Sequence, residues 1–314
     1  MSCLVVIRPG MLTTIQDRGR WGLQSRGVPV AGPMDPCSHR LANAVVGNDP
    51  DAATLEVTLL GPEIEFEDER IVAFTGAEFE VSLDGRAVAP GTPVVAGAGS
   101  RLRFGGRARG ARAYLAVGGG IAVPPTLGSR ATHVISSLGG LEGRALRAGD
   151  RLPLGERTEA RRPLGAGVLP VVPLPDGHAK LRVLPGPQDD RFAPDALDVL
   201  QSAPYVIGSN SDRMGFRLAG PKLEHARGAD IISDATPLGA LQVPASGQPI
   251  LLMADRQTTG GYPKIATLIT ADVSLAGQLS PGDRISFVVT SPREALAALI
   301  AQERALMAAE GQGA

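Results

Sequence analysis

The chain has 314 residues, of which 43% are hydrophobic and 20% charged, with 31 Lys+Arg against 32 Asp+Glu for a net charge of −1. Its length supports two domains with cores of their own, and its composition is neither disordered nor membrane-like. Such an even balance provides no long-range field to gather nucleic acid or an anionic membrane, so neither is expected as a partner.

The start, Met1-Ser2-Cys3-Leu4-Val5-Val6-Ile7-Arg8, has four apolar residues in a row, too few for a signal-peptide core. No stretch reaches the ~18 apolar residues of a membrane span. Cys3 and Cys37 lack His or Cys neighbours at metal-ligand spacing and are too few for a disulfide scaffold, so the expected compartment is the cytoplasm. Cys37 reads as a small packing residue.

A first polar cluster, Thr13-Thr14-Ile15-Gln16-Asp17-Arg18-Gly19-Arg20, precedes a loop, "GVPVAGPMD" (27–35), that carries Asp35. Residues 38–46 place Leu41, Ala42, Val45 and Val46 at helical spacing with Gly47 as a stop. Strand-length apolar runs follow at 71–74, 79–83 and 113–117, and Asp84-Gly85 predicts a two-residue hairpin turn. The acidic run 63–69 and the arginines of "RLRFGGRARGARAYL" (101–115) read as strands with one face in water. Residues 163–178 have linker chemistry and divide an N-terminal half, 1–162, from a C-terminal half, 179–314.

Further strands are expected at 181–184, 250–253 and 285–289. The C-terminal "SPREALAALIAQERALMAAE" is a helix with Ser291 and Glu294 as capping box and Pro292 at its first position. Its Leu296, Leu299, Ile300 and Met307 share a face. The class is mainly β with a few peripheral helices. Three short anchors recur in order: Ile7-Arg8-Pro9-Gly10 before Gln16-Asp17 and Val183-Leu184-Pro185-Gly186 before Gln188-Asp189; Leu60-Gly61-Pro62 and Ala219-Gly220-Pro221; Gly149-Asp150-Arg151 and Gly282-Asp283-Arg284. They suggest two related halves.

Two more polar clusters lie on loops of the second half. One is Gly208-Ser209-Asn210-Ser211-Asp212-Arg213-Met214-Gly215; the other is Asp255-Arg256-Gln257-Thr258-Thr259-Gly260-Gly261-Tyr262-Pro263-Lys264, set between apolar runs. Loops on a rigid β scaffold are where binding residues sit. Arg213 or Arg256 could take a substrate carboxylate through a forked pair of N–H bonds. Backbone N–H groups near Gly260 and Gly261 could form an anion nest. Asp212 or Asp255 could serve as a base, and Lys264 or Tyr262 could polarise a carbonyl. The blander alternative takes Asp212-Arg213 and Asp255-Arg256 as ion pairs and Thr258–Gly261 as a turn. Lys264 draws notice because the chain has 28 arginines and only Lys180, Lys222 and Lys264. A lysine kept in so arginine-rich a chain points to a need for a compact ammonium.

Several chemistries lack their motif. There is no Gly-Lys-[Ser/Thr] for a P-loop, no Gly-x-Ser-x-Gly elbow, and no paired-ligand pattern among His39, His133, His178 and His225. No lysine lies in a Met-Lys-Met context, so no covalent biotin is expected on this chain.

The stretches "TTIQDRGRWG", "GVPVAGPMD", "GGGIAVPPTLGSRAT", "GSNSDRMGFRLAGP", "LGALQVPASGQPILLMADRQTTGGYPKIA" and "LAGQLSPGDRISF" resemble the biotin-dependent carboxyltransferase, or allophanate hydrolase subunit 2, family along nearly the whole chain. That family includes the C component of 5-oxoprolinase, KipA-type regulators and part of the urea carboxylase carboxyltransferase domain. The resemblance implies two cyclophilin-like β-barrel domains and a KipI-like partner subunit. Its commonest free-standing role also implies a lactamase-type subunit, in a complex that opens the cyclic amide 5-oxoproline at the expense of ATP. Arg213 would then hold the lactam carboxylate, and Gln257 and Lys264 would meet the amide oxygen. Gln242, Thr259, Gly260, Gly261, Tyr262, Arg256, Gln16 and Asp17 complete the expected substrate-binding set, with Asp212 and Asp255 beside Lys264 as catalytic candidates. A KipA-like regulator and a urea-carboxylase-type carboxyltransferase are the alternatives.

Overall fold

Period-two alternation of apolar and polar residues builds most of the chain into strands. The structure, a computed structural model, describes residues 2–156 and 171–311; the first half of the expected linker at 163–178 lies outside them. Two compact units result. One is made of Met1–Arg20, Ala31–Leu174 and Glu303–Ala314, the other of Trp21–Val30 and Pro175–Gln302, so neither is a single continuous stretch.

The first unit holds nine strands: β1 (Cys3–Arg8), β2 (Leu12–Gln16), β3 (Thr54–Thr58), β4 (Glu63–Phe66), β5 (Arg70–Leu83), β6 (Arg86–Val88), β7 (Val94–Ala96), β8 (Arg101–Val117) and β9 (Arg151–Pro153). They form one sheet in the order β2-β3-β8-β4-β1-β9, with β5 pairing β6, β7 and β8. The runs at 71–74 and 79–83 prove to be one strand, bent along β8 by register shifts between Gly76 and Val81. Extra residues of this kind twist and curve a long strand pair, which lets the sheet wrap a core of Leu4, Ile15, Leu55, Phe66, Phe74 and Leu115. Asp84 and Gly85 both take positive φ between Leu83 and Arg86, as the hairpin signal requires. Arg101, Arg103, Arg107 and Arg109 face water as expected; Arg112 does not, being buried beside Glu56. Helix α1 (Pro36–Val46) begins two residues before the expected start. Asp35 caps it by accepting the Ser38 N–H at 3.0 Å, and Ala42, Val45 and Val46 pack on Ala73, Tyr114 and Ala116.

The second unit holds β10 (His178–Pro185), β11 (Tyr205–Ile207), β12 (Gly215–Ala219), β13 (Asp234–Ala235), β14 (Ala240–Gln242), β15 (Ile250–Leu252), β16 (Thr259–Gly260), β17 (Lys264–Leu268) and β18 (Arg284–Val289). Seven close into a barrel in the order β10-β17-β14-β15-β12-β11-β18, sealed by a parallel pairing of β18 with β10. β13 and β16 form a separate two-stranded flap. Helices α2 (Ala196–Ser202) and α3 (Val273–Gly277) are short, and α4 (Pro292–Gly311) starts at the predicted capping box, where Ser291 and Glu294 exchange backbone-to-side-chain bonds. Leu296, Ile300 and Met307 of α4 are exposed, and Leu306 is the buried one.

The chain is thus mainly β, one unit a closed barrel and the other an open, half-barrel sheet. Two of the recurring anchors adopt matching local structures. Gly61 sits against the Phe104 ring and Gly220 against the Tyr205 ring, so closely that a Cβ at either would collide with the aromatic. Asp150 and Asp283 each accept the N–H three residues back, at 2.7 and 2.8 Å, before β9 and β18. No helix among the described residues is long and apolar enough to cross a membrane.

Candidate small-molecule site

Strand β17 opens with Lys264, directly after Pro263, and its cross-strand partner on β14 is Gln242. A register shift between Leu241 and Gln242 interrupts the ladder there; the Gln242 side chain meets Gln257 of the polar connection 253–263, and the Lys264 side chain meets Asp234. Lys264 is 1% exposed, and its ammonium donates to Asp234 Oδ2 at 2.9 Å. Asp234, on the flap, is half exposed; Lys264 above all, then the Ala235 N–H, hold its carboxyl below the usual carboxylate range. Gln188 ties the pair together, accepting the Lys264 backbone N–H at 3.1 Å and donating to Asp234 Oδ2 at 3.1 Å. A compact ammonium fits this arrangement where a wide guanidinium fork does not.

Gln257 donates its amide to Gln242 Oε1 at 3.0 Å, while Gln242 Nε2 is buried without a partner. Gly260 crosses this amide pair so tightly that a Cβ would enter the shell of Gln242 Nε2 and press on Gln257 and Thr236. The glycine is needed for close approach, not for a turn. Thr236 donates its hydroxyl to the Gln257 carbonyl and accepts Arg256 Nε on its own carbonyl at 2.9 Å. Arg256 and Gln257 line a cavity of about 540 Å³ together with Trp21, Val30, Pro237 and Leu238, all within this unit.

The two arginines of these polar clusters part company here. Arg213 is buried and grips Asp255 through two parallel bonds, Nε to Oδ2 and Nη2 to Oδ1, both 2.9 Å. The ion pairs suggested within Asp212-Arg213 and Asp255-Arg256 are therefore replaced by one between the two segments. Asp212 is exposed and caps its own turn through the Met214 N–H. Thr259 is exposed on β16, Gly261 accepts the Ile231 N–H, and Tyr262 is 41% exposed.

Gln16 and Asp17 belong to the first unit. Asp17 accepts the Gly19 N–H at 2.9 Å, the Ser129 hydroxyl at 2.5 Å and the Arg130 N–H, so it organises chain rather than facing a cavity. Gln16 donates to Thr14 and to the Thr132 carbonyl, and its buried Oε1 has no partner. The structure brings together Lys264, Gln242, Gln257, Gly260 and Arg256 and adds Asp234, Gln188 and Thr236. Gln188 was visible in the sequence as the repeat partner of Gln16. Asp234 carried no signal, since it approaches Lys264 only through the flap.

A mainly β chain with a polar site at one end of a closed barrel defines a class, and its family follows from comparison. Residues 26–289 match the carboxyltransferase domain, subdomain A and B, and the chain belongs to that family. Among individual relatives, the C component of 5-oxoprolinase from Escherichia coli (strain K12) is 43% identical over 302 residues, 96% of either chain. Urea amidolyase of Lachancea kluyveri is 38% identical over 91% of this chain but 17% of its own length. The crystal structure of the Kluyveromyces lactis urea carboxylase superposes with a TM-score of 0.93 at 33% identity, over 99% of this chain and 29% of that one.

Proposed function

We propose that the chain is a subunit of a 5-oxoprolinase-type complex and that its second unit binds the lactam. A KipI-like subunit, together with a lactamase-type one, completes the complex, which couples ATP hydrolysis to ring opening. In that reaction water adds its oxygen to the lactam carbonyl carbon, the ring C–N bond breaks, the nitrogen gains a proton, and glutamate results. The observation that carries the reading is the donor set of buried Lys264 and Gln242 with the half-buried Gln257, chemically matched to an amide. The ammonium opposes charge building on the carbonyl oxygen, and the glutamine amides can donate to that oxygen and accept from the ring N–H. Near-complete mutual coverage with a 5-oxoprolinase component supports this choice over a carboxyltransferase domain embedded in a longer chain. ATP is assigned to the partners, because the cluster's two cations, Lys264 and Arg256, make no cradle for a triphosphate; Lys264 is already paired with Asp234.

The test is 5-oxoproline-dependent ATP hydrolysis by the co-expressed subunits. Lys264→Arg is expected to lower turnover about 10²–10³-fold while the folded chain persists. The urea-carboxylase-type alternative, favoured by the 0.93 superposition, requires carboxybiotin supplied on another chain. Activity that survives avidin and omission of bicarbonate eliminates it; strict dependence on either overturns the lactam reading.

A further inference from the structure

The second unit buries two guanidinium groups, and they differ in one respect that bears on ligand choice. Both planar ends of Arg213 lie on Asp255. Arg256 is 8% exposed, yet its one described side-chain bond is Nε to the neutral Thr236 carbonyl. Its terminal nitrogens have no carboxylate among the described residues, and they belong to a side chain that lines the cavity. Burial without any offsetting acid pushes its pKa down to about 10, which still leaves it charged at neutral pH. An arginine held this way costs the fold desolvation with no internal partner to offset it.

We infer that Arg256, and not Arg213, is the carboxylate-binding residue of this site, and that the cavity selects a small monocarboxylate. The inference deepens the lactam reading and rests on it for the identity of the ring. Thr236 fixes the Nε edge, so the Nη1–Nη2 edge is left in a defined orientation that suits the two oxygens of one carboxylate. One positive charge matches one negative charge; a phosphate chain would leave most of its charge uncompensated in this cavity. Val30, Pro237 and Leu238 supply apolar wall for the carbon skeleton beside that charge. Gln257 lines the same cavity and is bonded to Gln242, so the carboxylate anchor and the amide-recognising pair are continuous. A neutral amide such as urea would use the amide pair and leave Arg256 unanswered. Arg256 is thus a specificity residue that separates carboxylated from neutral amides.

The experiment is calorimetric binding to the purified full chain with three probes: 5-oxoproline, its carboxylate-free analogue 2-pyrrolidone, and cyclopentanecarboxylate, which keeps ring and carboxylate but lacks the amide. The wild-type chain is expected to prefer 5-oxoproline over 2-pyrrolidone by about 10- to 100-fold, the scale of a charge-assisted hydrogen-bonded pair. Arg256→Gln should erase that preference without weakening 2-pyrrolidone. Thr258→Glu, which keeps Arg256 and places a carboxylate among the cavity-lining residues, should do the same and decides the matter if Arg256→Gln does not fold. Lys264→Ala should weaken both lactams alike and preserve the ratio between them. An unchanged preference in both cavity variants overturns the inference and leaves the lactam reading standing. If neither lactam binds but cyclopentanecarboxylate does so in an Arg256-dependent way, the carboxylate site holds and the lactam reading falls. Absence of Arg256-dependent binding of every probe up to about 10 mM sinks the inference outright.

Discussion

In the first unit the acidic side chains are spent on holding chain. Asp17 takes three donors from residues 19 and 129–130, and Glu56 takes the Tyr114 hydroxyl and the Met34 N–H, both on Oε2. Its buried arginines are held from within, Arg70 on Asp68, Arg112 beside Glu56 and Arg20 on the carbonyls of Thr126 and Ala131. Among its neutral side chains Ser2 Oγ, Gln16 Oε1, Thr58 Oγ1 and His39 Nε2 are buried without a partner. The second unit leaves valences open on a cavity wall and beside it, at the terminal nitrogens of Arg256 and at the donor amide of Gln242. Each unit thus holds a buried guanidinium on neutral carbonyls, Arg20 in the first and Arg256 in the second; what sets Arg256 apart is that it lines a cavity. A neutral orphan costs about 1–3 kcal/mol and a buried charge without a counter-ion costs more, a cost that a ligand carboxylate in the cavity would offset at Arg256.

The contrast can be broken most sharply at Asp255. If Arg213 is structural, Asp255→Ala strands a buried cation and should destabilise the chain by about 3–5 kcal/mol, read from urea unfolding midpoints. A loss under about 1 kcal/mol would mean that Arg213 is no more committed than Arg256.

His39 tests the neutral side of the comparison through pH. Burial lowers its pKa from 6.5 to about 4, with Asp17 and Glu56 opposing the shift, and its Nδ1 meets Thr54 Oγ1 at 2.9 Å. Because the folded value lies below the unfolded one, the unfolded chain binds the proton first as pH falls. His39 therefore costs no stability above pH 6.5, progressively destabilises the fold down to about pH 4, and has no further effect below. The total is on the order of 3 kcal/mol at about 1.36 kcal/mol per unit. His39→Gln should flatten that part of the profile; a wild-type slope equal to the variant's between pH 6.5 and 4 would show that His39 protonates freely in the folded unit.

The smallest expected effect sharpens the site itself. Gly260→Ala pushes a methyl onto Gln242 Nε2, which is the movable end of a side chain, so stability should change by no more than about 1 kcal/mol. Lactam affinity should fall about fivefold as the amide pair is displaced. Unaltered affinity would remove Gln242 from the site.

Much of this was legible in the residues. The strand class follows from alternation and the hairpin from Asp84-Gly85, because both depend on neighbours within a few positions. The α4 start follows equally locally from Ser291, Pro292 and Glu294. The stretch 254–264 also declared itself, since a plain connection has no need of Arg, Gln, Tyr and Lys together. Which arginine is free could not be read there. Arg213 and Asp255 are 42 positions apart, and only closure of the barrel sets them face to face, which releases Arg256 from the neighbour it has in sequence. The same closure brings Asp234 over Lys264 from 30 positions away and Gln188 from 76. Sequence adjacency and spatial pairing differ because local dihedrals decide the strands and turns, while a counter-ion is chosen by whatever the tertiary fold places within reach of a charge that cannot keep its water.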